Sequence, residues 1–189
     1  MYKLYTPTGE EIPAKESMTY LGVTVYADGA LKRELSRKLG AAWGDFSKLN
    51  RLWKHTALTR ARKLLVFQAV VVSRLLYGLS SAWLNVADVR RLCGFHCRCL
   101  RVICRIQPAY FSRVSNKKVL EEAGQRSMEK QLLQQQMLLY GRVARAPPSD
   151  PLRDLAFVLG SLEPATGRYI RRVGRPRNEW ATLVRKECF

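Results

Sequence analysis

The sequence predicts a mainly α protein: a short N-terminal β-hairpin followed by a helical bundle and further helices. Three observations carry this prediction. β-Branched and aromatic residues concentrate in 2–5 (YKLY) and 18–26 (MTYLGVTVY), apolar residues recur at helical spacing after residue 30, and Pro and Gly punctuate those helical stretches. With 189 residues, 47% of them hydrophobic, the chain is long and apolar enough to bury a core in one or two compact units.

The elements follow in order. Residues 2–5 and 18–26 read as two strands, joined by the Pro-, Gly- and Glu-rich segment 6–17 into a hairpin that ends at an Asp28-Gly29 turn. A first helix is expected over 30–54, with Leu35, Leu39, Ala42, Trp43, Phe46, Leu49 and Trp53 on one arc. Arg33, Arg37, Lys48, Arg51 and Lys54 fall on the opposite arc. A second helix, over 58–83, is apolar nearly all round through LLVFQAVVV and reads as central and buried. A third, over 87–106, repeats the design of the first: Arg90, Arg91, Arg98, Arg101 and Arg105 cluster on one side, Val89, Leu92, His96, Leu100 and Ile103 on another.

Pro108 closes the third helix. A short helix over 115–123 is closed by Gly124, and Ser127 caps a longer one to about Ala144. Pro147, Pro148 and Pro151 mark a linker, and a terminal helix is expected over 178–187. The expected organisation is therefore a hairpin unit at 1–29, a helical domain at 30–110, a helical linker region at 111–148 and a basic tail with a terminal helix at 149–189.

Charge narrows the function. The net charge is +18, unevenly placed: Lys3 and Lys15 against Glu10, Glu11, Glu16 and Asp28 leave −2 on residues 1–29 and +20 on the remainder. A polyanion is the expected partner, and two helices that each carry a basic stripe point to nucleic acid. The arginine fork suits phosphate oxygens, and neutralising phosphates releases counterions. The longest apolar stretch, Leu64 to Val72, falls well short of the ~20 residues that span a bilayer, so no membrane role is expected. Five cysteines, four of them crowded between Cys93 and Cys104, do not suit a secreted disulfide framework. The expected location is intracellular and nuclear.

Catalytic patterns are weak. Cys93, Cys97, Cys99 and Cys104 cannot converge on one zinc ion from a straight helix, because Cys97 and Cys104 stand ~10 Å apart in rise. Tyr26-Ala27-Asp28-Gly29 resembles the polymerase signature Tyr-x-Asp-Asp, yet a glycine replaces the second carboxylate that two-metal chemistry needs. His55 and His96 leave little choice of general base, His96 reads as a packed core residue, and neither G-x-S-x-G nor a phosphate-binding P-loop occurs. Gly174-Arg175-Pro176-Arg177, preceded by Arg171 and Arg172, resembles the core of an AT-hook, though Val173 stands where that motif has an arginine.

In series, the landmarks resemble a family. Tyr20-Leu21-Gly22-Val23, Asp28-Gly29, Leu49-Asn50-Arg51-Leu52-Trp53, Leu75-Leu76-Tyr77-Gly78, Ser81-Ala82-Trp83, Cys99-Leu100-Arg101-Val102-Ile103, Tyr140-Gly141 and Gly174-Arg175-Pro176-Arg177-Asn178-Glu179-Trp180 follow one another. This order is similar to the region after the palm in reverse transcriptases of non-LTR, LINE-like retrotransposons. The resemblance covers about residues 18 to 181. It implies that the hairpin is the end of a palm, with Tyr20, Leu21 and Gly22 as a primer-grip-like tip. Residues 30–106 would form a helical thumb gripping an RNA–DNA or DNA duplex by its backbone, and the rest a downstream linker.

The departures matter as well. The family's catalytic aspartates lie upstream, so this chain is expected to need no cofactor, to be inactive as a polymerase by itself, and to work with upstream polymerase and endonuclease portions. Arg142 stands where relatives often have histidine, and the C-terminal Cys/His knuckle is not evident. Three other readings remain open at this point: a regulatory DNA-binding protein acting through Arg171, Arg172, Arg175 and Arg177; a helical module whose charge meets an acidic protein; and a degenerate retroelement remnant.

Overall fold

The computed structural model describes residues 4–13, 15–27, 31–165 and 179–188. The chain is mainly helical, with short antiparallel strands at the N-terminus. The Asp28-Gly29 turn and the arginines Arg171, Arg172, Arg175 and Arg177 lie outside the described residues.

The strands pair differently from the expectation. Leu4–Tyr5 (β1) pairs with Glu11–Ile12 (β2), while Ser17–Tyr20 (β3) pairs with Val23–Tyr26 (β4). The stretch expected to form one strand over 18–26 is thus a hairpin in itself. It folds at Leu21 (φ 47°) and Gly22 (φ 81°), two successive left-handed residues as a type I′ turn requires. Leucine in that conformation is uncommon, which is why the run reads as continuous strand.

Helix α1 (Leu31–Lys54) matches its expected span and buries Leu35, Ala42, Phe46 and Trp53. The second helix is shorter than expected and irregular. It comprises α2 (Arg60–Val66), capped by the Thr59 hydroxyl, a π-helical segment (Phe67–Val72), and α3 (Ser73–Leu76). Leu75 and Leu76 are buried, but Leu65 and Val70 are exposed, so the helix is not buried all round. It stops where Tyr77 turns extended and Gly78 adopts φ 73°.

Asn85 caps α4 (Val86–Cys104) by accepting from the Asp88 amide at 2.8 Å. Arg105 ends that helix in the left-handed conformation usually given to glycine. Two helices absent from the sequence reading follow: α5 (Ala109–Ser112) and, directly after the non-helical break at 145–150, α8 (Pro151–Ala156). Between them, α6 (Asn116–Ala123) and α7 (Met128–Ala144) start at the Ser115 and Ser127 caps as expected. Helix α9 (Trp180–Cys188) comes last.

Two apolar cores result among the described residues. The larger joins α1, the α2–α3 helix and α4 to α6 and the start of α7 through Val119, Ala123, Met128 and Leu132. The smaller holds Tyr140, Val143, Phe157, Ala181 and Val184 from α7 to α9. Packing therefore runs across position 110 and continues through α7 past 148. The cores are also joined by hydrogen bonds to the 77–85 segment, from Gln136 Nε2 to Ala82 O at 2.6 Å and from Trp180 Nε1 to Ser80 O at 2.9 Å.

The β3–β4 hairpin, α1 and the Tyr77-Gly78 turn meet at one junction. Gly78 admits the hairpin so closely that a Cβ there would stand 2.5 Å from Val23 Cγ2. Beside it, α1 supplies Glu34, Arg37 and Lys38. Arg37 forks onto Glu34 at 2.8 and 2.7 Å and donates to Gly22 O at 2.9 Å, and buried Lys38 donates to Tyr77 O at 2.5 Å. Burial opposes ionisation of Glu34, but the Arg37 hydrogen bond and the charges of Arg37 and Lys38 together hold its carboxyl below the usual range.

Candidate nucleic-acid interface

Helices α1 and α4 run in the same direction along a shared seam. The Arg91 Nη2 donates to Ser36 Oγ at 2.9 Å, the Arg98 guanidinium lies 5.2 Å from the Trp43 ring centroid, and Asn50 and Arg105 line one cleft. On each helix these positions advance by seven residues, about two turns or ~10 Å. Trp43 therefore does not sit in the core as expected. It is 40% exposed, against Phe95 and beneath the cation of Arg98.

The two helices themselves supply few carboxylates beside these cations. Glu34 and Asp88 are buried, the latter with Arg91 Nη1 3.3 Å from its carboxylate, and half-buried Asp45 accepts from Arg74 at 2.7 Å. No other Asp or Glu occurs on either helix. Exposed Lys48, Arg51 and Lys54 on α1, and Arg90, Arg98 and Arg105 on or at the end of α4, thus face solvent without an exposed carboxylate on the same helix. Exposed Arg33 lies 5.5 Å from the Tyr26 ring centroid. Arg37 and Arg91 are exposed too, but part of each guanidinium is committed to the fold.

Arg101 is the exception among the predicted phosphate contacts. It is buried, and its guanidinium donates to Gln107 O at 3.2 Å, Val114 O at 2.6 Å and Asn116 Oδ1 at 3.2 Å. The loop after α4 folds back over this side of the helix, so a residue on the polar arc becomes a staple beneath the surface.

Where α1, its following loop, α2 and the end of α4 meet, a cleft of about 520 Å³ opens. Asn50, Lys54, Lys63 and Arg105 line it above Trp53, Leu58 and Ile103, and no carboxylate contributes to the wall. Lys63 was not among the expected site residues. The Thr59 cap fixes where α2 starts, but only the packing of three elements brings Lys63 beside Lys54 and Arg105.

Tyr20, Leu21 and Gly22, expected as a primer-grip-like tip, lie at the turn end of the β3–β4 hairpin. Tyr20 and Leu21 are exposed at 65% and 72%, while Gly22 is tied to α1 through Arg37. Of the cysteines, Cys97 and Cys99 are buried, and burial pushes the Cys99 thiol up to about 12. His96 is buried and stacked on Phe67, with 5.7 Å between ring centroids. Among the described residues no helix is long and apolar enough to cross a membrane. Comparisons with protein-family models, with curated proteins and with solved structures give no match to this chain.

Proposed function

We propose that this chain is a non-catalytic nucleic-acid-binding module that grips duplex through its phosphate backbone. In this reading it corresponds to the thumb and post-palm linker of a non-LTR retrotransposon reverse transcriptase. The observation that carries the reading is the parallel α1–α4 pair, which exposes cations from both helices and no carboxylate from either. Such a surface attracts phosphates without reading base edges, so affinity is sequence-tolerant and steeply salt-dependent. The resemblance adds the type of duplex, a template–primer hybrid, and places the Tyr20-Leu21 tip near its primer end. Divalent metal would belong to the palm that precedes the thumb in that family.

The test is a salt titration of duplex binding by the full chain, with Lys48→Gln/Arg51→Gln/Arg98→Gln beside wild type. These side chains are exposed, so the variant is expected to fold. It should bind more weakly and with a shallower slope of log K against log salt, by roughly 0.9 for each phosphate contact removed. Lys186→Gln, exposed at the end of α9, serves as a single-charge control away from α1 and α4. Binding that ignores salt, or no binding at low salt, overturns the proposal.

A further inference from the structure

The loop that Arg101 staples carries two aromatic rings with no apolar purpose. Tyr110 and Phe111 on α5 are 76% and 67% exposed, and their ring centroids stand 4.2 Å apart with planes inclined by 39°. Neither ring joins either apolar core. Exposed neighbouring aromatics are costly to leave in water unless something stacks on them.

Their surroundings indicate what that is. Between Arg105 and Lys118 the chain carries Arg105, Arg113, Lys117 and Lys118, all exposed, and no acidic residue. Arg105 and Arg113 bracket the aromatics in left-handed conformations, at φ 58° and φ 52°, and each ends a helix. The loop is also held in place. Arg101 grips Gln107 O, Val114 O and Asn116 Oδ1 from below, and Ser112 Oγ donates to Gln107 O at 3.0 Å and accepts from Val114 N at 3.3 Å. A pair of rings on a fixed loop among exposed cations matches the chemistry of unpaired nucleotides: bases stack on aromatic faces while phosphates meet the cations. A protein partner of acidic character would meet the cations equally well but would leave the aromatic pair unexplained.

We propose that the 105–118 loop is a single-strand platform, on which Tyr110 and Phe111 stack unpaired bases of a nucleic acid whose phosphates meet Arg105, Arg113, Lys117 and Lys118. This deepens the duplex-gripping reading and rests on it: the platform, which shares Arg105 with the basic cleft, takes the strand where pairing ends.

The experiment compares the full chain with Tyr110→Ala/Phe111→Ala, using three fluorescent probes: a blunt duplex, the same duplex with a single-stranded extension, and a single-stranded oligothymidine. Both residues are exposed, so the variant should keep the wild-type circular dichroism and melting profile. Expected is a loss of about tenfold or more on the extended duplex and the single strand, with blunt-duplex affinity and all salt slopes unchanged, because stacking carries no ionic component. Tyr110→Trp/Phe111→Trp should bind the single strand at least as well as wild type, and 2-aminopurine in the extension should be quenched by wild type but not by the alanine variant.

Wild-type binding to blunt duplex with none to single strands overturns the platform and leaves the duplex reading standing. Single-strand binding unaltered in the alanine variant does the same. A variant that changes only the oligomeric state of the chain makes the rings a self-association surface and overturns the platform. No binding to any probe at low salt removes both readings.

Discussion

The Arg101 guanidinium donates to the carbonyl of Val114 at 2.6 Å, and this bond converts a residue of the basic arc into a structural one. Arg101→Ala would leave a half-buried carbonyl and its neighbours without a charged donor. A loss of about 2–3 kcal/mol of stability is expected in urea unfolding, since hydrogen bonds from charged groups contribute more than neutral ones. Lysine lacks the planar fork and should recover only part of it. The salt slope of duplex binding should not change beyond what the altered loop causes, whereas a full phosphate contact would lower it by roughly 0.9.

His96 predicts a pH dependence. Burial lowers its pKa from the ordinary 6.5 to about 4, and neither ring nitrogen has a hydrogen-bond partner in the structure. The folded state keeps the ring neutral while the unfolded chain takes up a proton first. Stability is therefore complete above pH 6.5 and falls as pH drops toward 4, by about 3 kcal/mol for this group alone. His96→Phe should preserve the stack on Phe67 and remove this component. Urea midpoints for both proteins at pH 7.5 and pH 4.5 check it, and a parallel fall in the two would refute the assignment.

Gly78 makes a sharper steric prediction. Alanine there would meet Val23 Cγ2 at 2.5 Å and would also hold φ 73°. The Gly78→Ala protein should lose about 2–3 kcal/mol, part from the clash and part from the left-handed backbone. Adding Val23→Ala relieves only the clash. The double variant should thus lose less stability than the sum of the two single losses, in a double-mutant cycle read by thermal unfolding.

How far the sequence reads correctly depends on how local the cause is. The spans of α1 and α4, the serine caps at 115 and 127 and the burial of Leu35, Phe46, Leu92 and Leu100 follow from periodicity and capping, which are properties of neighbouring residues. Periodicity and the structure differ over Trp43 and Arg101 for one shared reason. Helical angle sorts residues by face but does not know which neighbour will cover that face, and both were decided by contacts made elsewhere: Trp43 by α4, Arg101 by the loop at 107–116. The β3–β4 turn was hidden because its first left-handed position is a leucine. Lys63 is not legible because a cleft is a juxtaposition that no spacing rule encodes, and the adjacent Tyr110 and Phe111 read as ordinary apolar residues because only the tertiary packing leaves them exposed.

The cleft at the end of α1 yields the last prediction. Lys54, Lys63 and Arg105 line about 520 Å³ of space with Asn50, Thr56 and no carboxylate, so an anion entering it meets cations, an amide and a hydroxyl at its polar wall. Under the duplex-gripping reading, this is where one backbone phosphate is held. Lys54→Gln/Lys63→Gln/Arg105→Asn removes the charge; asparagine at 105 tolerates the left-handed backbone that glutamine would strain. The duplex dissociation constant should rise, and the salt slope should fall by roughly 0.9 for each of the three that touches a phosphate. Lys63→Gln alone should weaken binding although periodicity did not place it on either stripe. A triple variant with the wild-type slope would take the cleft out of the interface and leave Lys48, Arg51 and Arg98 to carry the electrostatics.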